Sequence, residues 1–484
     1  MSKSTVKTNF IYQTVYQVIM LVTPLALSPY VSRVLGPEGI GAYSYTYSVA
    51  YFFVIVSMLG ILDYGSREIA KCRDDIDRLS LKFSEIFFVH FLVSVIVLVI
   101  YFVYIVLTYS DSAYSFTQIF YVGSAIFDIS WFYYGIEEMR FTVIINALIK
   151  LVTTLLVFIM VKDGSDILVY CLIFSLGTLV NQMLLWLPIR KYVRFVWPQI
   201  SGRKIGCYLE SLIVLFVPAF AISIYNYMDK IMIAKLSNQA EVGYYDNSFG
   251  LASTSIVIAG ALGTVMLPQM SHITYTGERQ KGKYLFQKSV RYVMLATFGV
   301  TAGIMAVAPT FAPTFWGNEF SEISTTIRIL SCAIPFMAFA NIVRTQYLLP
   351  NGLDRAFLLS VVIGAIINIV LNFIFIPKWG AEGAAVATLV TNIEVCVYQT
   401  IVANKELKIR ENLIDIIPFA VLAVFMFVVV SEENDLLFGI SDAIILAIQV
   451  GTGVVIYCCG ALGILRAKGD KLLNINLLGA REKK

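Results

Sequence analysis

Ionisable side chains within long apolar stretches are the residues of this chain that most clearly need a chemical role. They are Asp128, Lys150, Asp229, Lys230, Asp246, Arg328, Arg344 and Glu394. A charge inside an apolar phase is costly, so such side chains are usually paired or functional. No metal-ligand, phosphate-loop or catalytic-nucleophile motif accompanies them. We therefore expect binding and gating, with no enzyme activity, no metal and no cofactor.

The apolar stretches that contain these charges determine the fold class. The chain has 484 residues, of which 58% are hydrophobic and only 14% are charged, and its mean hydropathy is +0.78. A helix that spans a bilayer takes about 20 apolar residues. The sequence predicts an all-α integral membrane protein with about 14 transmembrane helices. They lie near 10–31, 40–62, 83–108, 116–136, 141–161, 166–187, 211–234, 244–268, 287–308, 325–347, 356–376, 380–402, 414–430 and 441–465.

Basic residues indicate how the predicted helices are oriented. If the amino terminus lies in the cytoplasm, most of the 36 Lys and Arg residues fall in predicted cytoplasmic segments. Such a bias is typical of cytoplasmic loops. Arg33, Lys162, Lys235 and Lys378 are predicted to lie on the outer side. The alternation favours an even number of helices with both termini in the cytoplasm.

Two segments of the chain repeat with a step of 202 residues. Segments 33–43 and 235–245 each contain a cation, a glycine eight residues later and a tyrosine two residues after that. Two more pairs of basic residues recur in the same order at later helix ends. We expect two pseudo-symmetric six-helix lobes, residues 1–200 and 201–410, followed by two extra helices and a cytoplasmic tail, 411–484. Lobes of equal orientation are typical of alternating-access transporters.

Four motifs along the chain resemble one protein family. They are VSRVLGPEGIG at 31–41, DISWFYYGIE at 128–137, VGYY at 242–245 and PKWGAEGA at 377–384. The chain resembles the bacterial polysaccharide repeat-unit flippases, a branch of the multidrug/oligosaccharidyl-lipid/polysaccharide exporter superfamily. The resemblance implies movement of undecaprenyl-diphosphate-linked oligosaccharide units from the cytoplasmic to the outer leaflet of the bacterial inner membrane. It also implies contact with membrane lipids and with the polysaccharide polymerase of the same pathway, and no nucleic acid partner.

Other functions remain open alongside this one. A lipid II-type flippase and a multidrug or cation antiporter belong to the same superfamily. A membrane-embedded glycosyltransferase or polymerase is a third alternative, but the predicted outer loops are short and almost without cations. Cations within the membrane favour an anionic substrate over a cationic drug.

A diphosphate substrate needs cations, and sugars need aromatic faces. We therefore predict substrate binding by the following residues: Arg33, Lys230, Lys235, Arg344, Tyr43 and Tyr47. Arginine holds phosphate by two hydrogen bonds, whereas lysine acts as a point charge. For Arg33 and Lys235 the alternative is anchoring among outer lipid headgroups. For the two tyrosines the alternative is the aromatic belt at the membrane interface.

Three carboxylates are candidates for gating or for coupling to protons or sodium. They are Asp128, Asp229 and Asp246. A purely structural ion pair is the alternative for Asp128 and Arg344, which occupy corresponding places in the two halves. Asp229 and Lys230 are neighbours in sequence and point about 100° apart on a helix. We therefore expect these two side chains to have different partners.

Overall fold

The structure is a computed structural model, and it describes residues 3–108, 112–194, 196–197, 202–407, 409–437 and 439–468. Almost all of these residues are helical, and none of them forms a strand. The α-helices are α1 Lys3–Met58, α2 Ile61–Cys72, α3 Ile76–Thr108, α4 Ser112–Thr117, α5 Ile119–Ser124, α6 Ser130–Gly135, α7 Met139–Met160, α8 Ile167–Leu184, α9 Gly202–Leu236, α10 Gln239–Ser255, α11 Val257–Thr276, α12 Arg279–Trp316, α13 Ser324–Val343, α14 Asp354–Leu407, α15 Ile409–Leu436 and α16 Asp442–Ala467. The predicted cytoplasmic tail lies mostly outside the described residues.

Length and composition identify ten stretches of the described chain that could cross a membrane. Two of them contain a break at a glycine with positive φ, at Gly36 (φ 65°) in α1 and at Gly380 (φ 51°) in α14. Only glycine adopts such a conformation readily, so each break separates two successive spans. The bent pair α10 and α11 and the broken run of short helices α4–α6 occupy two more of the predicted spans. The fold class is confirmed, and the helical segments match the fourteen predicted stretches in order.

The chain divides into two compact units. Unit 1 comprises Met1–Asn247 and Ile369–Ala384, and unit 2 comprises Ser248–Asn368 and Ala385–Lys484. Unit 1 therefore includes α9 and the start of α10, which the sequence assigned to the second lobe. The three-part division at residues 200 and 410 stays a prediction.

Each unit has its own core. In unit 1, Phe83 of α3 stacks on Trp131 of α6 with ring centroids 5.5 Å apart, and both side chains are fully buried. Gly65 of α2 leaves room for that indole, because a Cβ there would lie 2.6 Å from it. In unit 2, Phe286 of α12 and Ile342 of α13 belong to one buried cluster. Helix α12 packs against α13, α15 and α16.

Candidate functional site

An ion pair joins α9 to α10 inside unit 1. The ammonium group of Lys230 contacts Oδ1 of Asp246, and only 11% and 27% of the two side chains are exposed. Ser44 of α1 donates a hydrogen bond of 2.5 Å to Oδ2 of the same carboxylate. Both oxygens of Asp246 are therefore held, one by a cation and one by a hydroxyl. A half-buried charge needs this kind of compensation to be stable.

Asp229, the sequence neighbour of Lys230, has a separate set of partners. Its carboxylate is 1% exposed and accepts hydrogen bonds of 2.5 Å from the hydroxyl of Tyr245 and from the amide of Asn372. These donors belong to α10 and α14. Two donors replace the hydration that a buried carboxylate loses. The prediction that Asp229 and Lys230 have different partners is confirmed.

Tyrosine rings surround one side of the ion pair. Tyr43, Tyr47 and Tyr51 follow one another on one face of α1, where a spacing of four residues brings side chains together. They meet rings from three other helices. The contacts are Tyr43–Tyr170 at 4.8 Å, Tyr47–Tyr121 at 5.0 Å and Tyr51–Tyr227 at 4.1 Å between centroids. We call these six residues the tyrosine cluster. The ammonium of Lys230 lies 5.6 Å from the centroid of Tyr227, so the cluster and the ion pair are adjacent.

A tight crossing of α1 and α10 positions this site. A Cβ on Gly41 would lie 1.7 Å from the carbonyl oxygen of Gln239, and one on Gly243 would lie 2.1 Å from that of Pro37. Only glycine permits backbones to approach so closely. Ser44 lies three residues after Gly41, and Asp246 lies three residues after Gly243. The crossing therefore brings Ser44 and Asp246 face to face.

Arg33 and Lys235, which the sequence predicts to lie on the outer side, belong to α1 and α9 of unit 1. Arg33 and Lys235 are both exposed. The ammonium of Lys235 lies 5.0 Å from the ring centroid of Tyr45. A role in substrate binding and a role as headgroup anchors both remain predictions for this pair.

Asp128 forms part of a local turn in unit 1. Its carboxylate accepts hydrogen bonds from the backbone N–H and the hydroxyl of Ser130, at 2.8 and 2.6 Å, and from the amide of Gln182 at 3.1 Å. The Asp128 backbone is extended, between the short helical turn that precedes it and α6. The carboxylate therefore caps the break in this run of short helices. A gating role stays a prediction.

Arg344 belongs to unit 2, where it begins a π-helical turn, Arg344–Leu348. Its guanidinium lies 5.4 Å from the ring centroid of Phe357. Its Nε is buried and has no hydrogen-bond partner among the described residues. The structure thus brings together Lys230, Asp246, Asp229 and the tyrosines, while Arg344 stands in a different compact unit.

Several members of the site were not predicted from the sequence. Asn372 could have been found as a polar residue within an apolar stretch, and Tyr245 as the repeat equivalent of Tyr43. Tyr121 and Tyr227 carry no sequence signal that separates them from other tyrosines. In the described part of the chain, no group of three His, Cys, Asp or Glu side chains is arranged to hold a metal ion.

Solved structures define the class of protein to which this fold belongs. The lipid II flippase MurJ in an inward closed conformation has a TM-score of 0.72 at 14% identity, with 94% of this chain and 98% of that chain covered. An inward-facing multidrug resistance MATE transporter of the MOP superfamily has a TM-score of 0.62 at 13% identity, with 81% and 94% covered. The chain therefore has the fold of that superfamily.

Sequence comparisons give the family within the class. A family described as polysaccharide biosynthesis protein matches residues 6–274, and the lipid II flippase MurJ family matches residues 213–442. A Shigella dysenteriae protein provisionally named an O-antigen transporter is 21% identical over 384 residues, which cover 78% of this chain and 94% of that protein. The chain belongs to the polysaccharide biosynthesis protein family.

Proposed function

We propose that this protein moves undecaprenyl-diphosphate-linked oligosaccharide units from the cytoplasmic to the outer leaflet of a bacterial inner membrane. It does so as a transporter, by alternating access, and performs no covalent chemistry. The observation that carries the proposal is the position of the Lys230 ammonium group beside the tyrosine cluster, in a chain of this family. The cation suits a phosphate and the rings suit sugar faces.

The charge on Lys230 is the part of the site that suits a diphosphate. A point charge in a partly dehydrated site attracts phosphate more strongly than it would in water. Asp246 neutralises that charge in this structure. Substrate must therefore compete with Asp246 for the ammonium group. Arg33, Lys235 and Arg344 are further cations that we assign to the diphosphate along its route.

Protonation of Asp246 would remove this competition. We infer that a proton on its carboxyl breaks the ion pair and frees Lys230 for substrate, so that proton binding and substrate binding support each other. Asp229 is held by two donors and is the second coupling candidate. Sodium in place of the proton is the alternative, and Asp128 is the candidate gate.

The tyrosine cluster suits the carbohydrate part of the substrate. Tyr43 and Tyr47 are half-buried and stack with each other at 5.8 Å between centroids. Their contacts with rings of other helices favour a role within unit 1 over a place in an interfacial belt. Aromatic faces next to a hydroxyl-rich network match the alternation of C–H and O–H groups on a pyranose.

A lipid II-type substrate is the second candidate, because the lipid II flippase family matches residues 213–442. Both substrates carry the same diphosphate, so the cations do not distinguish them. The residues that contact the sugars must therefore distinguish the two substrates. A multidrug or cation antiporter is disfavoured by the cationic side chain of Lys230 at the centre of the site. Physical association with the polysaccharide polymerase remains part of the proposal.

Deletion of the gene in its own host tests the function. We expect surface display of one polysaccharide to stop and its lipid-linked units to accumulate in the inner leaflet, with restoration by the wild-type gene. Cells that stop growing and accumulate lipid II instead would favour the second candidate. Unchanged lipid-linked intermediates and unchanged surface polysaccharide, in a strain without a related flippase, would refute both.

A further inference from the structure

A cleft lies within unit 2 and shares no residue with the site in unit 1. It is about 410 Å³ in volume and opens between the end of α11, the first turns of α12, the π-helical turn and the end of α14. The sequence places the α11–α12 junction on the cytoplasmic side. The buried side chains of Met270 and Ile273 form part of its wall. The cleft is therefore apolar on one side and polar on the other.

Two cations line the polar side of the cleft. Arg279 and Lys283 stand one turn apart at the start of α12, and both are exposed. Neither forms an ion pair with a residue that the structure describes. Glu406 is the acidic group of the lining, and its carboxylate accepts a hydrogen bond from the hydroxyl of Tyr347. The start of a 38-residue helix adds positive potential.

The amide of Gln346 is the least expected feature of the cleft. The residue is 2% exposed and lines the cleft, and neither its Nε2 nor its Oε1 has a hydrogen-bond partner among the described residues. A buried amide without partners is costly, at about 1–3 kcal/mol. Such a group in a polar cavity is expected to have a ligand. Its N–H groups can donate to an anion that the two cations attract.

The surroundings indicate the source of the anion. Tyr275 and Tyr284 flank the helix junction and are 88% and 54% exposed. Exposed tyrosines at helix ends are typical of the level of lipid headgroups. The apolar wall can accept the first part of an acyl chain or glycerol. An anionic headgroup in the adjacent leaflet is therefore the phosphate most readily presented to the cleft.

We propose that this cleft binds the phosphate group of an anionic phospholipid headgroup through Arg279, Lys283 and the amide of Gln346. All of its lining residues belong to unit 2. Bound lipid would hold α12 to the π-helical turn and to the end of α14, three elements that otherwise leave a cavity between them. The lipid thus stabilises unit 2 at the side that the sequence assigns to the cytoplasm.

Native mass spectrometry of the purified full chain in detergent, titrated with phosphatidylglycerol, tests the proposal. We expect the double variant Arg279→Gln/Lys283→Gln to bind phosphatidylglycerol on the order of tenfold more weakly than the wild type, because each cation near an anionic surface contributes measurably. Lys281→Gln is the matched control. Lys281 stands on the same turn but outside the lining, where it contacts Glu278 at 2.9 Å. Equal binding by the wild type and the double variant would overturn the proposal.

Gln346→Leu separates binding from folding. The substitution removes the unpartnered amide, so we expect an unchanged or higher melting temperature without lipid, together with weaker phosphatidylglycerol binding. A melting temperature that falls while lipid binding stays at the wild-type level would contradict a role in the ligand site. Inorganic phosphate is the second probe. If inorganic phosphate raises the melting temperature of the wild type but not that of the double variant, the lipid assignment is overturned in favour of a soluble phosphate.

Discussion

Gly41 and Gly243 occupy the same position in the internal repeat, and they meet at the crossing of α1 and α10. A Cβ on Gly41 would come within 3.1 Å of the backbone nitrogen of Gly243 and within 1.7 Å of the oxygen of Gln239. The repeat predicted from sequence thus has a physical meaning at this point. Both copies of the motif need a glycine because each one is the contact surface for the other.

Substitution of either glycine should therefore disturb the fold. We expect Gly41→Ala and Gly243→Ala each to destabilise the protein by about 3 kcal/mol or to prevent its folding, since backbone atoms cannot yield to the added methyl group. Thermal unfolding in detergent, monitored by fluorescence-detection size-exclusion chromatography, measures the change in stability. Gly250→Ala is the control in α10, because among the described residues no atom beyond the backbone of its own helix lies within 4 Å of its added Cβ. A wild-type melting temperature for Gly41→Ala would contradict the crossing.

Substitutions of Lys230 and Asp246 should affect stability and transport differently. Lys230→Met leaves a carboxylate unpaired and Asp246→Asn leaves an ammonium unpaired, and each should cost about 2–4 kcal/mol. The double variant removes both charges and should recover most of that stability. It should nevertheless fail to restore surface polysaccharide in a deletion strain. Full export by a stable double variant would show that the pair has only a structural role.

The same pair should make transport depend on pH. Asp246→Asn imitates the protonated carboxyl and permanently frees Lys230. If protonation of Asp246 couples transport to protons, the rate of lipid-linked oligosaccharide movement in proteoliposomes should lose its response to an imposed pH gradient in this variant. Asp163→Asn, which changes an exposed carboxylate between α7 and α8, is the control. Hydrogen bonds from Ser165 hold the pKa of Asp163 below its usual range. A gradient response that persists in Asp246→Asn would exclude this coupling.

Substitutions of Arg33 and Lys235 test whether these cations, which are predicted to lie on the outer side, attract the diphosphate. Loss of one should weaken export and loss of both should nearly abolish it, if they attract the diphosphate. Arg33→Lys should retain part of the activity, because it keeps the charge but loses the two-pronged contact with phosphate. Complementation of the deletion strain, with membrane levels checked by blot, gives the measurement. A double alanine variant that inserts normally and exports fully would assign both residues to headgroup anchoring.

Substitutions of Tyr47 test whether the tyrosine cluster binds the sugars of the substrate. Tyr47→Phe retains the ring and loses the 3.3 Å contact between its hydroxyl and that of Tyr121, so we expect nearly normal export. Tyr47→Ala removes a face for sugar stacking, and we expect export to fall at least tenfold, which corresponds to about 1.4 kcal/mol. Phe102→Ala, on the exposed side of α3, is the control ring. Equal export by the alanine and phenylalanine variants would leave the cluster without a function in substrate binding.

The positions of the helices along the chain could be predicted from the sequence, but the contacts between side chains of different helices could not. Apolar length and basic loops predict the helical segments, because both are local properties of the chain. The separate partners of Asp229 and Lys230 followed from helix geometry alone. The pairing of Lys230 with Asp246, by contrast, depends on the angle between α9 and α10, which no local pattern encodes. The place of Arg344 in a π-helical turn could not be predicted either, because no local pattern in the sequence marks such a turn.

The hydrogen bond between Ser44 and Asp246 joins two positions that are one repeat step, 202 residues, apart. In an assembly of two identical subunits, a position that meets its own counterpart must carry the same residue on both sides. Two serines would offer no charge for Lys230, and two carboxylates would repel each other. A single chain with two diverged halves can place a donor opposite an acceptor. The asymmetry that gives this centre its charge therefore requires two repeats that differ in sequence, and an assembly of two identical subunits could not contain it.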